Sequence, residues 1–323
     1  MKTYRSAIIG CGQIGSQYEV NQDALGIFTH AQAYHACDNT SLEGICDINE
    51  DALSACAQKW KISNTYNSVD DLLKDGPWDI ISLCTPDQTH AKLSQHILDS
   101  GQTSALFIEK PLAVDTKSAA TIVEQVKRLN IPVQINYSRR FDPKYQWLKE
   151  AIRNKEFGTI RKILIHYTGG IFHNGSHALD MIYYLFGKYK VQHATTVCNL
   201  DKSDPTIDAL CMLEDGTAFH LIGHPAETYS IFEGNIWGSN GCLHLRDSGT
   251  RFVIDEIRPS KLAEGYKILE PTRIIDETAN STFHAINEIC KHLEDKSSPL
   301  SCTVDDACHA VSMAEAICTA ARP

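Results

Sequence analysis

Across the 323 residues no apolar stretch approaches the ~20 residues needed to cross a bilayer. A secretory leader is not expected either, because Lys2 to Arg5 run straight into a strand-like segment with no room for an apolar core and cleavage site. A cytoplasmic location without a membrane partner is the expectation. Basic residues are in deficit, 30 Lys and Arg against 40 Asp and Glu, for a formal net charge of −10. A field of that sign repels nucleic acid and anionic membranes, yet leaves room for a local basic pocket around an anionic substrate. The twelve cysteines include no Cys-x-x-Cys pair. They are scattered, and Cys46, Cys84 and Cys211 fall inside strand-like runs, which favours reduced, buried small side chains over disulfides or a metal centre. There is no internal repeat or low-complexity tract. What remains is an ordinary globular composition, 43% hydrophobic and 22% charged, in a chain long enough for two domains with their own cores.

The most informative feature present is Ala7-Ile8-Ile9 emptying into Gly10-Cys11-Gly12-Gln13-Ile14-Gly15. A buried strand followed by GxGxxG opens a dinucleotide-binding domain: the first glycine makes the tight turn, the second admits a pyrophosphate, and the third lets the helix pack on the strand. Backbone N–H groups at the helix start, Gln13 and Ile14 included, then face the phosphates. The next run, Ser41 to Cys46, ends in Asp47. An acidic residue there accepts ribose hydroxyls and repels a 2′-phosphate, so NAD is expected over NADP. Asp47 follows Gly15 by 32 positions, where about 20 is usual, and the excess is assigned to an inserted loop of roughly Gln17 to Thr29. The competing reading is a glycine-rich turn in another α/β domain, with Asp47 capping the next helix.

From residue 1 to 135, apolar runs alternate with helical patterns: Ala7–Ile9, Leu42–Cys46, Ile80–Cys84, Ala105–Ile108 and Val133–Ile135. This alternation predicts a doubly wound parallel Rossmann sheet, whose ligands bind beyond the strands' carboxyl ends. Gly10–Gly15, Asp47, Thr85-Pro86 and Glu109-Lys110-Pro111 are therefore expected on one rim. Over 136–323 strand runs follow one another, with Asp215-Gly216 and Asn240-Gly241 at hairpin positions. A second α/β domain with a large, mostly antiparallel open sheet of at least six strands is predicted. Two helices close the chain, around Phe283–Leu293 and Val304–Ile317, assigned to the second domain with packing back on the first as the alternative.

A nicotinamide cofactor supplies hydride chemistry, so the protein must contribute a proton-handling group. Lys110 is the first candidate, directly after a strand on the binding rim, with Pro111 fixing the turn in an X-Pro bond that tolerates cis. The second is His177, in Tyr167 to Gly187, where helical spacing aligns His173, His177, Asp180 or Met181, and Tyr184. A buried core histidine is the plainer alternative for a lone His, and the surrounding pattern outweighs it. His173 and His177 at i and i+4 also suggest zinc, but HNGSH lacks the Glu of HExxH and carries a glycine in mid-turn, so no metal is expected. Arg139 and Arg140 lie near the same edge. They are read either as a bidentate clamp for a phosphate or carboxylate, or as a solvated pair at a helix start.

GCGQIG at 10 to 15, CTPDQTH at 84 to 90, EKP at 109 to 111 and GSHALD from 175 occur in one order across more than half the chain. Together they resemble the Gfo/Idh/MocA family, the group of glucose-fructose oxidoreductase and inositol dehydrogenase. The resemblance implies NAD(P)-dependent oxidation or reduction of a secondary carbon in a sugar-like substrate, and Arg139 and Arg140 alone suggest that the sugar is nucleotide-linked. It implies Lys110 and His177 at the reacting carbon, Glu109 and Pro111 shaping the lysine loop, and Thr85, Pro86, His90, Glu109 and Lys110 around the cofactor. Tyr137, Arg140, His173 and Asn174 are the candidate substrate contacts. Many relatives carry Asp four residues before the histidine, where this chain has His173. Two other functions stay open: an NAD-binding sensor without turnover, and redox-neutral elimination or glycoside cleavage assisted by bound NAD. A homodimer or homotetramer is expected.

Overall fold

A computed structural model of the chain describes residues 2–18, 26–198, 203–227, 229–277 and 280–321. Two compact units emerge: Met1–Asp142 with Asn280–Val311, and Pro143–Ala279 with Ser312–Pro323. The last helix, Val304–Ala320, contributes to both.

Among the described residues the first unit holds six parallel strands: β1 (Tyr4–Ile9), β2 (Thr40–Cys46), β3 (Asn64–Tyr66), β4 (Trp78–Leu83), β5 (Thr103–Ile108) and β6 (Val133–Ile135). They run in the order β3-β2-β1-β4-β5-β6, so the direction of winding switches between β1 and β4. Ile8, Ile80, Leu83, Leu106 and Ile108 are fully buried, as a parallel sheet covered on both faces requires. Each such side chain contributes about 1.5–3 kcal/mol. β3 escapes sequence reading because it is a three-residue polar edge strand, Asn-Thr-Tyr, with no apolar run. The helices start on side-chain caps: Thr29 forms a full capping box with Gln32, and Asn49, Ser68 and Asp115 each accept an N–H three residues on. The helix after the first glycine turn begins only at His30, consistent with a long insertion, of which residues 19–25 lie outside the described residues.

The second unit carries a mixed sheet of eight strands among the described residues: β7 (Ile160–Thr168), β8 (Tyr189–Cys198), β9 (Thr206–Leu213), β10 (Ala218–His224), β11 (Phe232–Gly238), β12 (Gly241–Arg246), β13 (Arg251–Pro259) and β14 (Lys267–Asp276). Their order is β14-β13-β12-β11-β7-β10-β9-β8, antiparallel throughout except for β7 beside β10. Gly216 adopts φ +87° at the β9–β10 hairpin, where its lack of Cβ is used. The β11–β12 link is Ser239-Asn240, one position before the expected Asn-Gly pair. Inward residues such as Ile163, Ile165, Tyr167, Phe219, Leu221 and Ile236 alternate with partly exposed neighbours and pack with the helices Pro143–Arg153 and Ser176–Phe186.

Candidate functional site

The rim of the parallel sheet is built by continuing the strand ladder one residue past each strand. Asp47 N–H donates to Tyr66 O, Gly10 N–H to Cys46 O, Cys84 N–H to Ile9 O, Glu109 N–H to Leu83 O, and Asn136 N–H to Ile108 O, at 2.7–3.2 Å. Motif residues far apart in sequence thereby form a row along one sheet edge.

Within this row the three glycines have distinct reasons to be glycine. Gly10 has φ +97°, and a Cβ there would lie 2.6 Å from the Cys84 carbonyl carbon. At Gly15 a Cβ would sit 2.0 Å from Gly10 O, so strand and helical turn are in backbone contact. Gly12 differs: a Cβ would meet nothing within 4 Å. The turn Gln13–Gln17 is wide, with Gln17 N–H reaching Gly12 O and Tyr18 N–H reaching Gln13 O, and Gly12 supplies no side-chain cap. N–H groups of Gln13, Ile14 and Gly15 lie in the first turn and have no intrahelical acceptor. Half-buried Asp47 takes Cys11 N–H at 2.7 Å on one oxygen and Asn49 N–H at 2.8 Å on the other. Each oxygen retains a lone pair for a hydroxyl donor. Open space above Gly12, first-turn N–H groups and an acidic acceptor at the end of β2 fit a dinucleotide.

Thr85 and Pro86 follow β4, and the Asp87–Ser100 helix starts immediately after them. His90, on that helix, is buried with Nδ1 2.7 Å from Pro111 O and Nε2 2.7 Å from Thr85 O. It braces the two loops against each other. The Lys110–Pro111 peptide is cis, and Lys110 is half-buried. Its neighbour Glu109 is buried, with Oε1 accepting from Asn136 Nδ2 at 2.6 Å and lying 2.9 Å from His30 Nε2, while Oε2 accepts Lys110 N–H at 3.3 Å. Burial pushes this carboxyl up, but His30, Asn136 and the Lys110 charge outweigh it and hold Glu109 below the usual carboxylate range. Tyr137 is buried just past β6. Arg140 is buried as well, bonded to Ser301 O at 2.9 Å and to Asp306 at 3.2 Å, which ties the Ser138–Phe141 turn to the C-terminal helical segment of the same unit.

The second group of expected residues belongs to the other unit. A wide turn, Ile171–Gly175, leads directly into the helix Ser176–Phe186. His173 is exposed, His177 half-buried and Asp180 buried. Asn174 donates from Nδ2 to Thr168 O at 2.8 Å. Sequence spacing finds no carboxylate beside His173, yet the fold delivers one: Asp204, before β9, accepts Phe172 N–H at 2.7 Å and His173 N–H at 3.1 Å. A Cβ on Gly170 would fall 1.9 Å from the Asp204 carboxyl carbon, so the glycine admits that approach. Asp204, His30 and Asn136 are the residues that sequence reasoning missed, and a tertiary contact alone singles them out. Among the described residues no group of three or more His, Cys, Asp or Glu side chains is arranged to hold a metal ion.

The sheet order, the glycine turn and the acidic rim residue define a dinucleotide-binding protein of the Rossmann class. Residues 4–137 match the Gfo/Idh/MocA oxidoreductase family model, described by its NAD-binding Rossmann fold. It is 26% identical over 198 residues to myo-inositol 2-dehydrogenase of Thermotoga maritima, covering 57% of this chain and 55% of that enzyme. The chain thus spans about half the length of the curated relatives it matches. The fold extends further. KijD10, a 3-ketoreductase from Actinomadura kijaniata solved with TDP-benzene and NADP, superposes with a TM-score of 0.80 at 16% identity over 99% of this chain and 98% of its own. The WlbA dehydrogenase of Bordetella pertussis, solved with NADH and UDP-GlcNAcA, gives 0.79 at 19% identity over 99% and 97%. No described helix is long and apolar enough to cross a membrane.

Proposed function

We propose that the protein is an NAD-dependent oxidoreductase acting at a secondary carbon of a sugar or nucleotide-linked sugar. The carrying observation is the row Asp47, Gly10, Cys84, Glu109 and Asn136, held by consecutive backbone bonds at the binding edge of the sheet. Bound nicotinamide supplies hydride acceptance or return. Asp47 selects NAD, because its carboxylate receives ribose hydroxyls and opposes a 2′-phosphate. Lys110 moves the proton of the carbinol or carbonyl oxygen, within the electrostatic reach of the Glu109 carboxylate. His177 is the second proton-handling group, on a helix entered through the turn that Asp204 secures. His173 and Asn174 belong to substrate recognition, as does Tyr137. Arg140 joins them, with its Nη1 anchored by Asp306 and Ser301 O. Sugar chemistry is supported by the inositol dehydrogenase relatives and the nucleotide-sugar complexes among the structural neighbours. A cytoplasmic homodimer or homotetramer completes the reading, and light scattering showing a monomer would contradict that part.

The test is nicotinamide absorbance with NAD and NADP against free and nucleotide-linked sugars. Turnover with NAD should fall about 10²- to 10⁴-fold in Lys110→Ala and in His177→Ala while NAD binding persists. Retained turnover in both variants would refute the assignment. Intact NAD binding with silence across the whole panel would move the protein to the sensor or redox-neutral class.

A further inference from the structure

Behind the Lys110 loop lies a line of buried polar groups drawn from separate elements of the first unit. Tyr34 Oη is 2.8 Å from Ser82 Oγ, Ser82 Oγ is 2.9 Å from His30 Nδ1, and His30 Nε2 is 2.9 Å from Glu109 Oε1. All four side chains are almost wholly excluded from solvent. His30 and Tyr34 share one helix face at i and i+4, Ser82 comes from β4, and Glu109 stands just past β5. The His30 ring also packs on Phe107, with centroids 4.7 Å apart, and His30 opens a helix whose start is locked by the Thr29–Gln32 capping box.

The geometry points to His30 as a positioning residue for the Lys110 loop, acting through an Nε2–H bond that fixes the ionised Glu109 carboxylate beside Lys110. The hydrogen count leads there. A carboxylate only accepts, so Nε2 carries a proton. One arrangement then uses both remaining hydroxyl hydrogens within the line: Tyr34 donates to Ser82, and Ser82 donates to His30 Nδ1. The line ends at Tyr34, 1% exposed, so it has no outlet to bulk water and orients rather than conducts protons. The groups facing Glu109 are His30 from the helix, Asn136 past β6, Lys110 in its own loop and Cys84 past β4. Cys84 is driven well up by burial and by Glu109, and so stays a neutral thiol. His30 and Asn136 are therefore the groups that let Glu109 keep its negative charge without solvent. That charge in turn favours the ammonium form of Lys110.

This inference rests on reading Lys110 as a proton-handling group, so its test separates the two. Ring-nitrogen NMR of the cofactor-free protein should show the His30 Nε2 protonated; a ring protonated at Nδ1 alone overturns the proposal whatever the activity. In turnover assays, His30→Leu should lower kcat by up to about 10²-fold, with KM for NAD little changed, and should move the Lys110-dependent limb of the pH profile to lower pH. His30→Gln, which keeps an amide donor, should recover much of both. Tyr34→Phe removes only the far end of the line and serves as the variant least able to disturb folding; it should leave the pH limb in place. Loss of stability in His30→Leu with an unmoved limb, and no rescue by His30→Gln, would make the residue merely structural. Full turnover in Lys110→Ala would refute the lysine's role, while the ring signals still decide the pairing.

Discussion

The Lys110 loop and the His177 turn present two solutions to holding a reactive side chain. The lysine follows a central strand of a sheet buried on both faces, and its surroundings come from the ladder itself: a backbone bond from Glu109 to Leu83, a carboxylate pinned by His30 and Asn136, and a brace from His90 to Pro111. The histidine follows an edge of irregular structure, a wide helical turn whose Ile171 N–H goes to Pro205 O and whose Phe172 and His173 N–H groups go to Asp204, about 30 residues away. Strand ends inherit their precision from many cooperative bonds. The turn leans on one short borrowed segment, Asp204-Pro205, which receives three of its N–H groups.

Substitutions can sharpen that contrast. The largest effect is expected from Gly10→Ala, which combines a positive φ with a Cβ 2.6 Å from the Cys84 backbone and should cost at least about 2 kcal/mol in chemical unfolding, with loss of dinucleotide binding. Asp204→Ala should cost about 1–3 kcal/mol by leaving the Phe172 and His173 N–H groups unpaired, with turnover lost and dinucleotide binding in the first unit retained. If dinucleotide affinity fell equally, the two regions would not be independent.

Acid sharpens the comparison further. Glu109 has a folded pKa below its ordinary 4.5, so its contribution to stability is fully present above the unfolded value and is lost as pH falls through the lower folded value. Unfolding midpoints measured downward from pH 6 should show this loss, and Glu109→Gln should flatten the curve over that window. An unchanged slope would mean the carboxylate is not held by its partners. The smallest effect on folding is expected from Gly12→Ala, where the new Cβ meets nothing: stability within about 0.5 kcal/mol of the parent, but dinucleotide affinity down about tenfold. Unaltered affinity would place the cofactor phosphates elsewhere.

What the sequence by itself determined is local or periodic. The parallel sheet announced itself through apolar runs, because strands buried on both faces must be continuously hydrophobic, and GxGxxG announced its turn because only glycine survives at Gly10 and Gly15. β3 and β14 did not announce themselves: one is short and polar, and the apolar residues of the other, Ile268-Leu269 and Ile274-Ile275, come in adjacent pairs rather than alternating. The tertiary structure alone decided how buried charge is satisfied. Nothing in the spacing of His30, Ser82, Glu109 and Asn136, or of Asp204 and His173, foretells that they meet, since each pairing crosses from one element to another. Arg140 makes the same point: only the fold shows that its Nη1 is anchored by Asp306 and Ser301 O. Periodicity is a property of neighbours in sequence, whereas the satisfaction of a buried polar group depends on what the packing brings against it.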